Sequence, residues 1–349
     1  MEPLDDAKFS GTKEVAEHLT IEVSNLQPWI DEFVPRAGKI NSIEQFKGGQ
    51  SNPTYKIVTE SKNLVLRRKP PGKLLPSAHA VDREYKVITA LYETDVPVPK
   101  TYGLCENDEI AGTAFFVMDF LDGDLFWNPM IPSLSNQDRT EIYQNKNKTL
   151  ALLHGVDYKK IGLEDYGKPG NYVARQVARW SKQYRASETD DIEAMNNLID
   201  WLPKNIPDDD ETSIVHGDYR LDNMILKNNQ VMGILDWELS TLGHPIADFS
   251  YHCLSWRTQE AFWDQAKLKE LGVPSEKEYM DMYCENTGKD LSKNWEFYMA
   301  FNMFKIAGIL QGILGRVRDG TASSKHAEDR GMMVYPLSQA AWDTIEENL

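Results

Sequence analysis

The sequence predicts an α+β chain of two lobes: a β-rich N-terminal lobe built on an antiparallel sheet and a larger, mostly helical C-terminal lobe. Three observations predict this class. The 349 residues suit two domains or lobes at roughly 150 residues each. Short β-rich runs separated by turn residues follow residue 43, whereas helical patterns dominate after residue 248. Hydrophobic residues make up 41% of the chain, which is enough for a packed core.

The first elements are predicted as a helical leader and two strands. Helical spacing of Val15, Leu19 and Leu26 predicts the leader, which is assigned to residues 1–40. Residues 55–59 and 64–68 are rich in β-forming residues and predict antiparallel strands. They belong to an N-terminal lobe expected over residues 41–121.

A helix and a buried strand complete this lobe. An apolar stripe at helical spacing predicts a helix over residues 79–93. Glu84 falls on that stripe, and a carboxylate on a buried face needs a cationic partner or hydrogen bonds. Residues 114–120 predict a buried strand, and the turn after it marks the start of a C-terminal lobe over residues 122–349.

The second lobe is predicted to be mainly helical. Ser135 and Asp138 form a capping-box pattern at a helix start. The next helix, over residues 172–184, has a basic stripe formed by Arg175, Arg179 and Lys182. Short strands are expected within residues 213–226 and 231–235.

Composition excludes several classes of protein. The net charge of −16 disfavours nucleic-acid binding. The most apolar stretch, residues 298–315, is interrupted by Asn302, Lys305 and Gln311, so we expect a core helix and no membrane span. Three scattered cysteines predict no disulfide framework and favour a reducing cytoplasm. The signatures of zinc proteases, serine hydrolases, Rossmann enzymes and P-loop kinases are absent from the sequence.

One segment carries recognisable chemistry. Residues 216–223 read His-Gly-Asp-Tyr-Arg-Leu-Asp-Asn, and an apolar run thirteen residues later ends at Asp236. An Asp, four residues, an Asn and a later Asp is the arrangement of a kinase catalytic loop with its metal ligand. Asp218 is the candidate base for a substrate hydroxyl, and Asn223 and Asp236 offer the oxygen ligands that Mg²⁺ prefers.

The whole pattern resembles the aminoglycoside phosphotransferase and choline kinase family of small-molecule kinases. The catalytic loop and the Asp-Trp-Glu triplet at 236–238 carry the resemblance, together with Leu64-Val65-Leu66-Arg67, Val81-Asp82-Arg83-Glu84 and Pro97-Val98-Pro99-Lys100. It implies a bilobal protein-kinase-like fold and the use of ATP and Mg²⁺.

The resemblance also implies roles for individual residues. Arg67, paired with Glu84, is expected to contact the phosphates, although it replaces the usual Lys and Arg68 is an alternative. The loop with Gly49 and Ser51 is expected to cover the phosphates, and the backbone at Met118 and Phe120 is expected to bind adenine. His216 and Asp248 are expected to brace the catalytic loop. Glu238 is a candidate substrate contact, and it could also be a third carboxylate at the metal site or the cap of the following turn.

A narrower resemblance points to a substrate. Residues 48–55, 65–72, 216–223 and 236–245 are similar to the kinase domains fused to some acyl-CoA dehydrogenases, and to stand-alone bacterial relatives. This implies phosphorylation of the hydroxyl of a 4-hydroxyacyl-CoA, with a functional link to an acyl-CoA dehydrogenase-like enzyme. Arg220 and the basic stripe of Arg175, Arg179 and Lys182 are the candidate contacts for an anionic substrate.

Three alternatives stay open at this stage. The acidic net charge is compatible with a kinase for cationic aminoglycosides. A catalytically silent scaffold on the same fold would be expected to lack a base or metal ligand. Protein kinase activity is disfavoured because no activation loop ending in Ala-Pro-Glu follows Asp236.

Overall fold

A computed structural model describes residues 10–48, 52–72, 79–259, 262, 264–322, 324 and 326–348. The chain divides into two compact units. The first unit comprises Met1–Tyr166, Asp218–Ser240 and Leu271–Val273, and the second comprises Gly167–Gly217, Thr241–Glu270 and Pro274–Leu349. The lobe boundary predicted at 121/122 falls inside the first unit, and it stays a prediction.

The first unit contains an antiparallel sheet. Within the described residues its six strands are ordered β1-β2-β3-β4-β6-β5. The strands are β1 Thr12–Lys13, β2 Ile40–Phe46, β3 Thr54–Thr59, β4 Asn63–Arg68, β5 Thr101–Cys105 and β6 Phe115–Asp119. Alternating burial along β3, with Tyr55, Ile57 and Thr59 inward, is the period-2 pattern of a sheet packed on a core. The central strand β4 pairs with both β3 and β6, so Arg67 lies in the middle of the sheet.

The first unit also contains helices. They are α1 Val23–Phe33, α2 Val81–Leu91, α3 Asp108–Ala111 and α4 Asn136–Gly155. Trp29 and Phe33 of α1 stack with ring centroids 4.7 Å apart and press on Gly103, where an added Cβ would lie 3.0 Å from Trp29. Ser135 caps α4 by accepting the Asp138 backbone N–H at 3.2 Å, as the sequence predicted.

The leader differs from its prediction. The helix begins at Val23, whereas Thr12 and Lys13 pair with β2 and only a 3₁₀ turn at Glu17–Leu19 lies between. The Thr12 hydroxyl donates to Glu44 of β2 at 2.6 Å. Pairing with the sheet edge therefore overrides the helical spacing of the early apolar residues.

A hairpin completes the first unit. It consists of β8 Met224–Lys227 and β9 Gln230–Ile234, joined at Asn228 and Asn229. Both asparagines have positive φ, 51° and 62°, as a two-residue hairpin turn with right-handed strand twist requires. The Asn229 amide donates to the Asp138 and Glu141 carboxylates of α4 at 2.7 and 2.9 Å, so the turn is anchored on that helix.

The second unit is mainly helical. The strands β7 Ser213–Val215 and β10 Thr241–Gly243 pair antiparallel. Its helices are α5 Tyr172–Ser187, α6 Glu193–Trp201, α7 Pro245–Cys253, α8 Ser255–Thr258, α9 Gln265–Glu270, α10 Glu276–Thr287, α11 Trp295–Arg318, α12 Ala327–Met332 and α13 Val334–Glu346. Helix α11 is long and apolar enough to cross a membrane, but 72% of its most apolar window is buried inside the protein. It packs against α5, α7, α12 and α13, which is the arrangement of a core helix.

Candidate active site

A buried arginine joins two carboxylates in the first unit. Arg67 Nε lies 2.9 Å from Glu84 Oε2 of α2, and Arg67 Nη2 lies 2.5 Å from Asp236 Oδ1 just after β9. The Arg67 and Glu84 side chains are 9% and 1% exposed, whereas Asp236 is 31% exposed. The planar fork of arginine lets one cation face two carboxylates, which a lysine ammonium could not do in the same geometry.

Burial and the neighbouring charges shift the pKa values of Glu84 and Arg67. Burial raises the pKa of Glu84 to about 7, although the Arg67 guanidinium opposes that rise. For Arg67 burial lowers the pKa, but Glu84 and Asp236 outweigh it, so the guanidinium stays charged. Asp236 and Glu238 also raise the pKa of Glu84, which places Glu238 within the electrostatic reach of the pair.

The adjacent Arg68 has a different role. Its guanidinium donates to the backbone carbonyl oxygens of Ala111 and of Leu19, the latter at 2.7 Å. Successive side chains of a strand point to opposite faces of the sheet, so Arg67 and Arg68 cannot serve the same site. Of the two, Arg67 lies beside Glu84 and Asp236, and its predicted contact with phosphates stays a prediction.

Asn52 is a buried contact that the sequence analysis missed. It is fully buried, and its amide donates to Glu84 Oε1 at 3.0 Å. Its own Oδ1 lies 3.1 Å from His79 Nδ1. The only signal in the sequence is its position in the small-residue loop before β3. The neighbouring Gly49 and Ser51, predicted to cover phosphates, lie outside the described residues.

The predicted base and one predicted metal ligand are in direct contact. The Asn223 side-chain amide donates to the Asp218 backbone carbonyl at 2.9 Å and to Asp218 Oδ2 at 3.2 Å. Asp218 is 26% exposed, so its carboxylate can meet a substrate. Arg220 pairs with Asp222, and its Nε lies 3.8 Å from Asp218 Oδ1.

The donor set fits a magnesium ion. The backbone N–H of Leu235 donates to the Asn223 carbonyl at 2.8 Å, which ties the two predicted ligand positions together. Asp236 adopts φ 63°, an uncommon conformation for a residue with a side chain and one that often marks functional positions. With its amide N–H directed at Asp218, Asn223 has a side-chain oxygen to offer, and Asp236 offers a carboxylate. Among the described residues no group of three or more His, Cys, Asp or Glu is arranged to hold a metal ion by itself, so Mg²⁺ would take its other ligands from phosphates and water.

The residues before Asp218 are held within the second unit. The Asp248 carboxylate accepts the backbone N–H of His216 at 2.8 Å and that of Gly217 at 2.9 Å. Gly217 has φ 83°, a conformation that disfavours any residue with a Cβ. The His216 side chain is fully buried. Asp248 thus holds the backbone before Asp218, while the predicted bracing role of the His216 side chain stays a prediction.

The predicted adenine segment is the end of β6 in the first unit. Met118 pairs with Val65 and Thr101 across the sheet and is buried. Phe120 stacks on Phe46 with ring centroids 6.4 Å apart. The Lys56 ammonium lies 5.0 Å from the Phe120 ring, a contact that only the folded sheet creates.

The predicted substrate residues of α5 divide into two kinds. Arg175 donates to the backbone carbonyls of Gly170 and of Lys168, the latter at 2.6 Å, so it ties down the loop before the helix. Arg179 and Lys182 are exposed. These two cations are therefore better placed than Arg175 to meet an anion.

The chain is similar to known phosphotransferases and to acyl-CoA dehydrogenase family proteins. The family model described as "Phosphotransferase enzyme family" matches residues 42–283. Acyl-CoA dehydrogenase family member 10 of Mus musculus is 45% identical over 306 residues, which cover 86% of this chain and only 29% of the mouse protein. The chain thus spans less than a third of that relative.

Solved structures agree with the family match. The crystal structure of a candidate aminoglycoside phosphotransferase from Ralstonia eutropha JMP134 is 47% identical, with a TM-score of 0.85 over 94% of this chain and 99% of that chain. A thermostable mutant of aminoglycoside phosphotransferase APH(4)-Ia, in ternary complex with ADP and hygromycin B, has a TM-score of 0.62 at 11% identity, over 91% of this chain and 98% of that one. The second likeness shows the fold alone, and together they confirm the predicted α+β kinase-like fold class. The chain belongs to the phosphotransferase enzyme family.

Proposed function

We propose that the protein is an ATP- and Mg²⁺-dependent kinase of a small alcohol, with a 4-hydroxyacyl-CoA as the favoured substrate. The observation that carries the ATP- and Mg²⁺-dependent kinase activity is that one compact unit holds two linked groups: Asp218 with Asn223, and Arg67 with Glu84 and Asp236. The backbone N–H of Leu235 donates to the Asn223 carbonyl and so ties the strand end before Asp236 to the first group. A loose, negatively charged transition state needs positioning and positive charge more than covalent chemistry, and this set can supply both.

The residues divide the work of one displacement. Asp218, oriented by the Asn223 amide, accepts the proton of the substrate hydroxyl. The hydroxyl oxygen forms a bond to the γ-phosphorus, and the bond from that phosphorus to the β–γ bridging oxygen breaks, so ADP leaves with the electron pair. Arg67, oriented by Glu84, faces the phosphates. Asn223 and Asp236 would hold Mg²⁺, which would supply neutralisation of the negative charge on the phosphate oxygens.

The acyl-CoA substrate is supported by similarity and by charge. The mouse relative at 45% identity is named an acyl-CoA dehydrogenase. Coenzyme A carries phosphates, and Arg179 and Lys182 are exposed cations in an otherwise acidic chain. A reaction of the acyl-CoA dehydrogenase type acting on the phosphorylated product, and location in a reducing cytoplasm, belong to the same proposal.

An aminoglycoside kinase is the second candidate. The 47% identical Ralstonia protein is described as an aminoglycoside phosphotransferase candidate, which favours it. A cationic antibiotic would need accessible carboxylates, and the acidic loop at 207–211 is the obvious source. However, Asp209 accepts from Tyr298, Asp210 from the Asn171 backbone and Glu211 from Lys289. These three carboxylates already have partners within the protein, and this weakens the hypothesis that the substrate is an aminoglycoside.

The test is ADP release with ATP and Mg²⁺ in the presence of either 4-hydroxyacyl-CoA thioesters or an aminoglycoside panel. Asp218→Asn should lower turnover by about 10²–10⁴-fold, the usual contribution of a positioned base. Asp122→Asn is the matched control, because it makes the same chemical change elsewhere in the first unit. Asp122 is 84% exposed and pairs with Lys227.

The outcomes separate the two substrates. Thioester-dependent release that Asp218→Asn abolishes supports the proposal. Release with aminoglycosides alone would replace the acyl-CoA substrate with an antibiotic. Full activity of Asp218→Asn would refute the assigned mechanism, whichever substrate is used.

A further inference from the structure

Arg83 is next to Glu84 on α2 but reaches a different group. Its Nη2 donates to the Tyr166 backbone carbonyl at 2.7 Å and approaches the Ser240 carbonyl at 3.4 Å. The guanidinium carbon lies 4.4 Å from the centre of the Tyr166 ring, which is a cation–π contact. Tyr166 and Ser240 are 1% and 3% exposed, so these contacts lie in a largely dry environment.

Ser240 ends the turn that begins at the metal-ligand position. Asp236 precedes the 3₁₀ turn Trp237–Leu239, and the Ser240 hydroxyl donates to the Trp237 carbonyl at 2.5 Å. The Tyr166 hydroxyl also bonds the Ser240 hydroxyl. A bond from the Trp237 indole to the Ile234 carbonyl at 3.0 Å fixes the start of the same turn. The five residues 236–240 therefore form one braced segment.

Helix α2 is connected by polar contacts to both ends of the segment 236–240. Glu84 reaches Asp236 through Arg67, and Arg83 reaches Ser240 directly. A left-handed residue such as Asp236 persists only where its surroundings over-determine the conformation. Without the Arg83 contact, one of the two attachments that hold the turn against α2 is lost.

We propose that Arg83 is a positioning residue that sets the distance between α2 and Asp236, so that the Arg67 bridge and the Asp236 carboxylate are held ready for a magnesium–nucleotide complex. This inference rests on the proposed use of ATP and Mg²⁺. It assigns no contact between Arg83 and the nucleotide. It also makes α2 a fixed element, since a helix tied at both ends of the turn cannot swing away from the site without breaking both attachments.

The chain offers a matched control on the same helix. Lys86 lies three residues after Arg83 and pairs with Asp165, the residue before Tyr166, at 2.5 Å. Both partners of that pair are exposed, at 42% and 71%. Lys86→Met therefore removes a cation that ties α2 to Asp165, next to Tyr166, but it leaves the contacts of the turn at 236–240 unchanged.

The experiment compares Arg83→Met, Arg83→Lys and Lys86→Met in calorimetric titration with AMP-PNP at several Mg²⁺ concentrations. We expect Arg83→Met to bind the magnesium–nucleotide complex at least tenfold more weakly, as groups that orient metal ligands commonly do when lost. Arg83→Lys keeps the charge without the fork and should lie between, whereas Lys86→Met should stay within twofold. In Arg83→Ala, which leaves the space of the arginine side chain open, added ethylguanidine should restore part of the affinity, a recovery that loss of general stability would not show.

Two results would overturn the inference: unchanged affinity in Arg83→Met, or equal weakening in Arg83→Met and Lys86→Met. If Arg83→Met does not fold, Tyr166→Phe replaces it, because that change removes only the hydroxyl bonded to Ser240. Tyr166→Phe should weaken binding about threefold, and unchanged affinity would count against the proposal that the bracing of residues 236–240 prepares the nucleotide site. A wild-type protein that binds no nucleotide would instead remove the proposed function, so the two failures are distinguishable.

Discussion

Removing the Arg67 cation is the sharpest test of the buried charge network. Arg67→Met keeps most of the side-chain volume and leaves Glu84 without its ionic partner. Glu84 is 1% exposed, and among the described residues the donor left to it is the Asn52 amide at 3.0 Å. Asp236, at 31% exposure, can turn to water and loses less. The cost of the substitution should therefore come mainly from the Glu84 carboxylate.

The expected magnitude follows from that burial. Breaking a buried ion pair by removing one partner costs about 3–5 kcal/mol of unfolding free energy, because the other charge stays unpaired. Burial already raises the pKa of Glu84 to about 7 while Arg67 is present. Without Arg67 the pKa of Glu84 rises further, so Glu84 can reduce the penalty by binding a proton, which costs less free energy at pH 6 than at pH 8. The loss should be larger at pH 8.

The assay is hydrogen exchange of peptides from β4 and α2 under increasing urea. Local exchange reports the first unit itself, because a chain with two compact units need not unfold in one step. Arg67→Met/Glu84→Gln is the companion variant and should recover most of the loss, since it removes the stranded charge but keeps a partner for Asn52. Lys86→Met, which breaks an exposed pair, should change stability by less than about 1 kcal/mol.

A loss below about 1 kcal/mol in Arg67→Met, or no recovery in the double variant, would refute the reasoning. Either result would mean that Glu84 is hydrated or neutral in the folded protein. The bridge to Asp236 would then be a flexible surface contact and not a buried organiser of the site.

Two other predictions concern the same unit. A carboxyl group whose pKa is raised in the folded state stabilises the fold fully below its ordinary pKa near 4.5, and that contribution is lost as pH rises through about 7. The wild type should therefore lose more unfolding free energy between pH 5 and 8 than Glu84→Gln in parallel urea titrations. Equal losses in the two proteins would contradict this. Asn229→Gly keeps the positive φ of the hairpin turn but loses the bonds to α4, so it should lower the thermal midpoint by an amount equivalent to about 1 kcal/mol. Asn228→Gly, at the other turn position, should be near neutral, and an equal loss there would contradict anchoring by the Asn229 side chain.

The strands and the catalytic loop were predictable because their signals are local. The β3 and β4 predictions at 55–59 and 64–68 lie within the observed Thr54–Thr59 and Asn63–Arg68, and the helix at 79–93 contains the observed Val81–Leu91. Period-2 and period-3.6 patterns depend on neighbouring residues, which the sequence displays directly. The leader prediction was wrong at its start because residues 12–13 pair with β2, more than thirty residues away.

The sequence by itself determined the chemistry: which carboxylates, amide and cations are available, and the spacing that identifies a phosphotransferase. The tertiary structure alone decided which of two adjacent arginines faces Glu84, because strand pleating sends Arg67 and Arg68 to opposite faces. It also decided that Asn52 buttresses Glu84 and that Arg83 reaches Ser240, 157 residues away. Such contacts leave no periodic trace in the sequence, because they depend on where the sheet and the hairpin place distant side chains in space.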